Sequence, residues 1–292
     1  MIGNDGYTSM SVQQGSMGEE PVGRRAEIIA VGREILRGRV LDTNSNWLAK
    51  ELTALGGDLS RICTIDDLSA EIVRELQTSA HLGAGVILTT GGLGPTFDDR
   101  TLEGIARAID RPLVRHAAAY QFVAETYRRL HAQGIVEHQA MLPSREKMAM
   151  LPQGADMLPN PVGSAPGVLV NWEGRLIIAL PGPPGEMRPM FQAHVQPLLQ
   201  TRWAGRRRVE IKVRTNVADE SLLNPLFEQV MAAVPGSYLK ADPSAFGPEV
   251  QLAVYIAGEG EDDAAANALA QRAKEQLRAA LATLHYTLMT EV

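Results

Sequence analysis

The sequence predicts an α/β protein: a three-layer αβα unit around a mostly parallel sheet, followed by a small α+β unit. Two observations carry this. Short apolar runs such as 86–88 alternate with amphipathic stretches in the order βαβαβα, which implies parallel strands with right-handed crossovers. Beyond about residue 206 the pattern changes to strands of alternating polarity and two helical stretches.

The elements follow in order. Residues 26–32 are a buried strand ending in Gly32. Residues 44–55 are an amphipathic helix with Trp47, Leu48, Leu52 and Leu55 at helical spacing, stopped by Gly56 and Gly57. Residues 59–65 are the second strand. Ser69 is expected to cap a helix whose apolar positions are Ile72, Val73 and Leu76. Residues 85–89 are the third strand and 101–109 the third helix. The stretch 116–142 reads as helical, ended by Met141, Leu142 and Pro143, and a Pro/Gly-rich stretch starts near Met150. Residues 168–171 and 176–180 form a hairpin turning at 172–175. A helix begins near Arg188, with Met190, Phe191, Val195 and Leu198 as its apolar face. In the second unit, 208–213 and 250–256 read as strands, and 220–234 and 262–284 as helices. The expected divisions are a flexible leader at 1–23, a first domain at 24–203 and a second at 206–292.

Composition narrows the function. A chain of 292 residues suits two domains, and 45% hydrophobic content supplies a full core. A net charge of −6 argues against nucleic acid as a partner. The single cysteine, Cys63, excludes an intrachain disulfide and fits the cytoplasm. No apolar stretch is long enough to span a membrane, and no secretory signal is visible. The histidines His81, His116, His131 and His138 lack metal-ligand spacing and are read as surface or core residues.

Four polar turns stand at predicted strand ends: 32–34, 66–67, 90–99 and 181–186. In an open parallel sheet, ligands bind outside the carboxyl ends of the strands. The segment 90–99 is the richest. Gly91, Gly92 and Gly94 let backbone amides approach a phosphate, and Asp98 and Asp99 offer carboxylates to a divalent cation or a general base. Asp98 is equally accounted for as a charge at a helix N-terminus. Thr90 and Thr96 offer hydroxyl donors. The turns together predict a pocket for a nucleotide-like small molecule.

Here a resemblance enters. Residues 32–36, 42–44, 90–99, 160–167 and 180–184 resemble the molybdopterin-binding domain superfamily, and within it the CinA family (competence/damage-inducible protein A), over about residues 26–200. The tail resembles the KH-like second domain of that family, without a Gly-x-x-Gly loop for RNA. The resemblance implies a divalent-metal-dependent (Mg, Mn or Co) pyrophosphatase acting on a nucleotide such as ADP-ribose. Alternatives are a non-catalytic binder of molybdopterin or a nucleotide, and a molybdopterin adenylyltransferase. It implies metal or base roles for Asp67 and Asp99, with Asp98 beside them. It implies ligand contacts for Glu34, Asn44, Asn160 and Gly163, and a pocket wall of Pro181, Gly182 and Pro183. The C-terminal amidase domain of full-length relatives is expected to be missing, and the second unit is expected to make a homodimer. Two departures stand out. Arg33 replaces an expected Thr, adding a cation that would bind phosphate or pair with Glu34. Asp66 replaces a Gly before Asp67, tolerable if that turn needs no positive φ.

Overall fold

The computed structural model describes residues 23–242 and 251–289; apart from Gly23, the expected leader lies outside them. β1 (Arg25–Val31) is buried on both faces, which is why it reads as an apolar run interrupted after Arg25 only by Glu27. It leads through a single turn, α1 (Arg33–Leu36), into α2 (Thr43–Ala54), whose N-terminus is capped by the Asp42 side chain accepting from the Ser45 amide. β2 (Asp58–Ile65), α3 (Ser69–His81), β3 (Val86–Thr90) and α4 (Thr101–Ala108) complete the expected alternation. Ser69 does not cap α3. Leu68 holds the cap position, and the Ser69 hydroxyl instead accepts from Arg107.

A short strand, β4 (Leu113–Arg115), precedes α5 (Ala117–Ala132). The expected helix over 116–142 stops ten residues early. Gly134 takes a left-handed φ of 72°, which terminates the helix as glycine commonly does. Pro143, read as a terminator, opens α6 (Pro143–Lys147), because a proline in the first helical turn gives up no hydrogen bond. β5 (Met150–Pro152) pairs with β4, and β6 (Asp156–Leu158) precedes the hairpin β7 (Gly167–Trp172) and β8 (Arg175–Leu180). α7 (Pro184–Met190) starts four residues before Arg188, again on proline, and runs through a π-helical turn at Phe191–Val195 into α8 (Gln196–Arg202).

The main sheet has the order β2-β1-β3-β8-β7-β6. Its first four strands are parallel, and β7 and β6 are antiparallel additions. One face packs Ile29, Val31 and Ile87 on α3, α4 and α5, through Ile72, Leu76, Ile105 and Val123. The other packs Ile28, Leu88 and Ile178 on α2, α7 and α8, through Leu48, Leu52, Met187 and Leu199. This is the three-layer αβα arrangement. Glu27 is a fully buried carboxylate in β1; Arg61 at 2.8 Å and Ser79 at 2.6 Å both meet its Oε2, while its buried Oε1 has no partner among the described residues.

The second unit is a separate antiparallel sheet, β10-β11-β9-β12. β9 (Arg207–Thr215) leads through a 3-10 turn at Glu220–Leu222 into α9 (Asn224–Ala233), dividing the helix expected over 220–234. β10 (Ser237–Asp242), β11 (Ala253–Gly260), α10 (Asp263–Thr283) and β12 (Leu288–Met289) follow. Its core joins Val213, Val254 and Ile256 to Phe227, Val230 and Leu277. No described helix is long and apolar enough to cross a membrane.

Candidate functional site

β1, β2, β3 and β8 end on the same edge of the sheet, so the four polar turns converge there. They enclose a cleft of about 500 Å³. Successive elements run from β1 outward to β2 on one side and to β3 on the other, a topological switch of the kind where open α/β sheets bind ligands. Glu34, Asn44, Asp67, Thr90, Gly91, Gly92, Gly94, Thr96, Asp98, Asp99, Pro181, Gly182 and Pro183 all line the cleft. Asn160 and Gly163 do not.

The loop after β3 owes its glycines first to packing. Gly91 has φ 102°, and a Cβ there would run into the Val31 carbonyl; Gly92 has φ 69°, with the Thr101 hydroxyl where a Cβ would go. The Gly91 amide donates to Leu180. Among the described residues, the amides of Gly92, Leu93 and Gly94 donate to nothing, and all three residues line the cleft. Consecutive free amides of this kind favour an anion.

The hydroxyls expected as ligand donors are already committed. Thr90 donates to the Pro181 carbonyl at 3.1 Å and accepts from Asn44. Asn44 also donates to the Gly182 carbonyl at 2.7 Å, bracing three turns together. Its Oδ1, buried, has no partner among the described residues. Thr96 has one hydroxyl proton but faces two carboxylates, Asp98 and Asp99, the latter at 2.6 Å. The Thr96 amide also donates to Asp99 at 2.8 Å. Asp98 does not cap α4, whose cap position is Arg100; the Thr96 hydroxyl holds its carboxyl below the usual range. Lys147, on α6, donates to the Thr96 carbonyl and faces both aspartates. Burial lowers its ammonium pKa. Nothing in the sequence near 90–99 signals this lysine, because tertiary packing alone brings it there.

Arg33 pairs with neither Glu34 nor open space. Its Nε and Nη2 donate to Asp66 at 3.0 and 2.8 Å, and Nη2 lies 3.0 Å from Asp67. The hydrogen bond from Arg33 drives the Asp66 carboxyl down to about 2. Asp67 moves the other way: burial raises it, and the adjacent Asp66 adds to the effect. Asp66 needs no positive φ, so the lost glycine costs nothing there.

Asn160 is 2% exposed and entirely occupied. It accepts from the Val162 and Gly163 amides and donates to Ala165 and, at 2.7 Å, to Glu186. It shapes the 160–165 loop and aims Glu186, which lines the cleft. Asp42 and Glu186 join the site without having been singled out; their positions within two of the quoted segments were the available signal. Cys63 lies outside the cleft, and burial pushes its thiol up to about 11.

Residues 27–201 match the sequence model of the family described as probable molybdopterin binding domain. A protein of Aeropyrum pernix is 40% identical over 258 residues, 87% of this chain and 92% of that relative. One of Pyrobaculum calidifontis is 37% identical over 260 residues, 86% of this chain and 96% of the relative. The crystal structure of CinA, a protein with unknown function from Thermoplasma acidophilum, is 32% identical, with a TM-score of 0.56 over 61% of this chain and 99% of that one.

Proposed function

The chain belongs to the molybdopterin-binding domain family, and from that premise we propose that its cleft binds a nucleotide pyrophosphate such as ADP-ribose and hydrolyses it with the help of a divalent metal ion. One observation carries the reading. Glu34, Asp42, Asp67, Asp98, Asp99 and Glu186 line the cleft, and no Lys, Arg or His does. Yet the free amides of Gly92, Leu93 and Gly94 call for an anion at the same place. An anion enters such a cleft only with cations beside it.

The donor set fits a Mg²⁺-like ion. Such ions take one or two protein carboxylates and complete their shell with water and phosphate oxygens. Among the described residues no three acidic, His or Cys side chains are grouped to hold a metal alone, so an ion here would draw the rest of its shell from water and the ligand's phosphate oxygens. Asp99 and Asp67 are the residues to hold it, and it supplies charge neutralisation and an activated water. The loop amides receive a phosphate oxygen. Asn44 Oδ1 accepts from a ligand N–H or O–H. Where Asp99 holds the ion without it, Asp67, its affinity for a proton raised by burial, is instead the base that takes one from the attacking water.

The second unit, in this reading, serves to make a homodimer in the cytoplasm. A monomeric mass at micromolar concentration counts against that part.

A metal-by-substrate screen tests the function: Mg²⁺, Mn²⁺ and Co²⁺ against ADP-ribose, FAD and NAD. Metal-dependent release of mononucleotide is expected. No hydrolysis with any pair leaves a non-catalytic nucleotide or pterin binder as the reading.

A further inference from the structure

A second groove, of about 490 Å³, opens beside the cleft and joins it through Leu41, Asp42 and Thr43. Its chemistry is the reverse of the cleft's. Asn46, Trp47, Lys50 and Arg188 line the remainder. Thr43, Asn46, Trp47 and Lys50 fall at helical spacing on α2 and make one stripe leading away from the cleft. Arg188 comes from α7, whose first turn supplies Pro184 and Glu186 to the cleft.

The groove is built around a fixed ring. Trp47 is half-buried and packs edge-on against Phe191, with centroids 5.3 Å apart and planes at 83°. The Arg188 guanidinium stands 5.5 Å from the Trp47 ring centroid. Among the described residues, neither Lys50 nor Arg188 makes an ion pair or a hydrogen bond. Two cations that line no part of the acidic cleft therefore stand next door, Arg188 over the Trp47 ring and Lys50 beside it.

We infer that this groove is a mononucleotide subsite, taking a nucleobase against Trp47 and a monophosphate on Lys50 and Arg188. A ring with an attached phosphate matches the groove's two chemistries at once, since bases stack on indoles and phosphates pair with guanidinium and ammonium groups. The inference rests on the pyrophosphate reading only for its place in the reaction, as the seat of the nucleoside monophosphate half of the substrate. Its physical content is independent of that. A phosphate in the cleft needs a metal ion among six carboxylates, whereas a phosphate in the groove needs none.

The test is titration of AMP, adenosine and inorganic phosphate into the full chain in excess EDTA, read by calorimetry and tryptophan fluorescence. AMP is expected to bind without metal, about tenfold or more tighter than adenosine or phosphate, from the loss of a charge-assisted contact. Arg188→Gln and Lys50→Gln, both at exposed positions, are each expected to weaken AMP about tenfold and leave adenosine nearly unchanged. Asp99→Asn is expected to leave metal-free AMP binding as it was. AMP binding that requires metal, that survives both groove substitutions, or that does not occur overturns the inference. Metal-free AMP binding that obeys these rules in a protein that hydrolyses nothing overturns the pyrophosphatase reading alone.

Discussion

Arg33 Nη2 lies 3.0 Å from Asp67 Oδ1 while the same guanidinium grips Asp66 through two nitrogens. Arg33 holds Asp66 ionised, while burial and the adjacent Asp66 leave Asp67 favouring its proton in spite of the same cation. For a reaction that needs Asp67 ionised, the rate rises with pH along an acid limb placed above the ordinary aspartate value of about 3.9. Arg33 attracts the ionised form of Asp67, so Arg33→Gln is expected to move that limb to higher pH. A pH profile of kcat/KM for both proteins decides it, and coincident limbs remove Asp67 from the base role.

The same ion pair makes a stability statement. Asp66 has a folded value of about 2, below its ordinary one, so the pairing stabilises fully above about pH 4 and is lost as pH falls through about 2. Thermal melts of wild type and Asp66→Asn are expected to differ at about pH 6 and to converge near pH 2. A gap that does not close with acid shows that Asp66 acts through something other than its charge.

Asp99 takes hydrogen bonds from the Thr96 amide and hydroxyl. Asp99→Asn keeps the shape and removes the charge. Turnover is expected to fall about 10²–10⁴-fold, the range for losing a positioned acid–base or metal-holding group. Metal-free nucleotide affinity is expected to change less than about threefold. Parallel loss of both would assign Asp99 a binding role instead.

At Gly91, positive φ and the Val31 carbonyl both oppose a side chain. Gly91→Ala is expected to destabilise by more than about 1 kcal/mol and to abolish activity even where folded protein is recovered. Urea unfolding of the variant measures the first, and assay of the refolded fraction the second.

Trp203 is fully buried, and its Nε1 donates to the Gly23 carbonyl at 2.7 Å. Trp203→Ala is expected to cost about 3–5 kcal/mol, read as a lowered urea midpoint.

The alternation of buried runs and amphipathic helices made the sheet legible because its inner parallel strands, such as Val86–Thr90, are covered on both faces. The convergence of polar turns on one cleft was legible for a related reason: strand ends carry the turns, and the turns carry Gly, Asp and Pro. What stayed hidden is what only distance in space can bring together. Lys147 reaches Thr96 across 51 residues of chain, and Arg33 reaches Asp66 across 33. Asn160 shows the opposite failure. Its place in a family-like segment suggested a ligand, but its hydrogen bonds are spent on its own loop and on aiming Glu186. The strands β4, β5 and β12, of two or three residues each, are too short for any periodicity to show.

The Trp203 indole is one of several bonds across the same seam. Arg24 donates to the Trp203 and Ala204 carbonyls at 3.0 and 2.9 Å. The first unit therefore begins and finishes at a single point, as a clasped ring does, and the second unit hangs from the clasp. A circular permutant that links 204 to 24 directly and opens the chain at the exposed 172–175 turn should keep its cleft, since no strand bordering it would be cut on the ligand side.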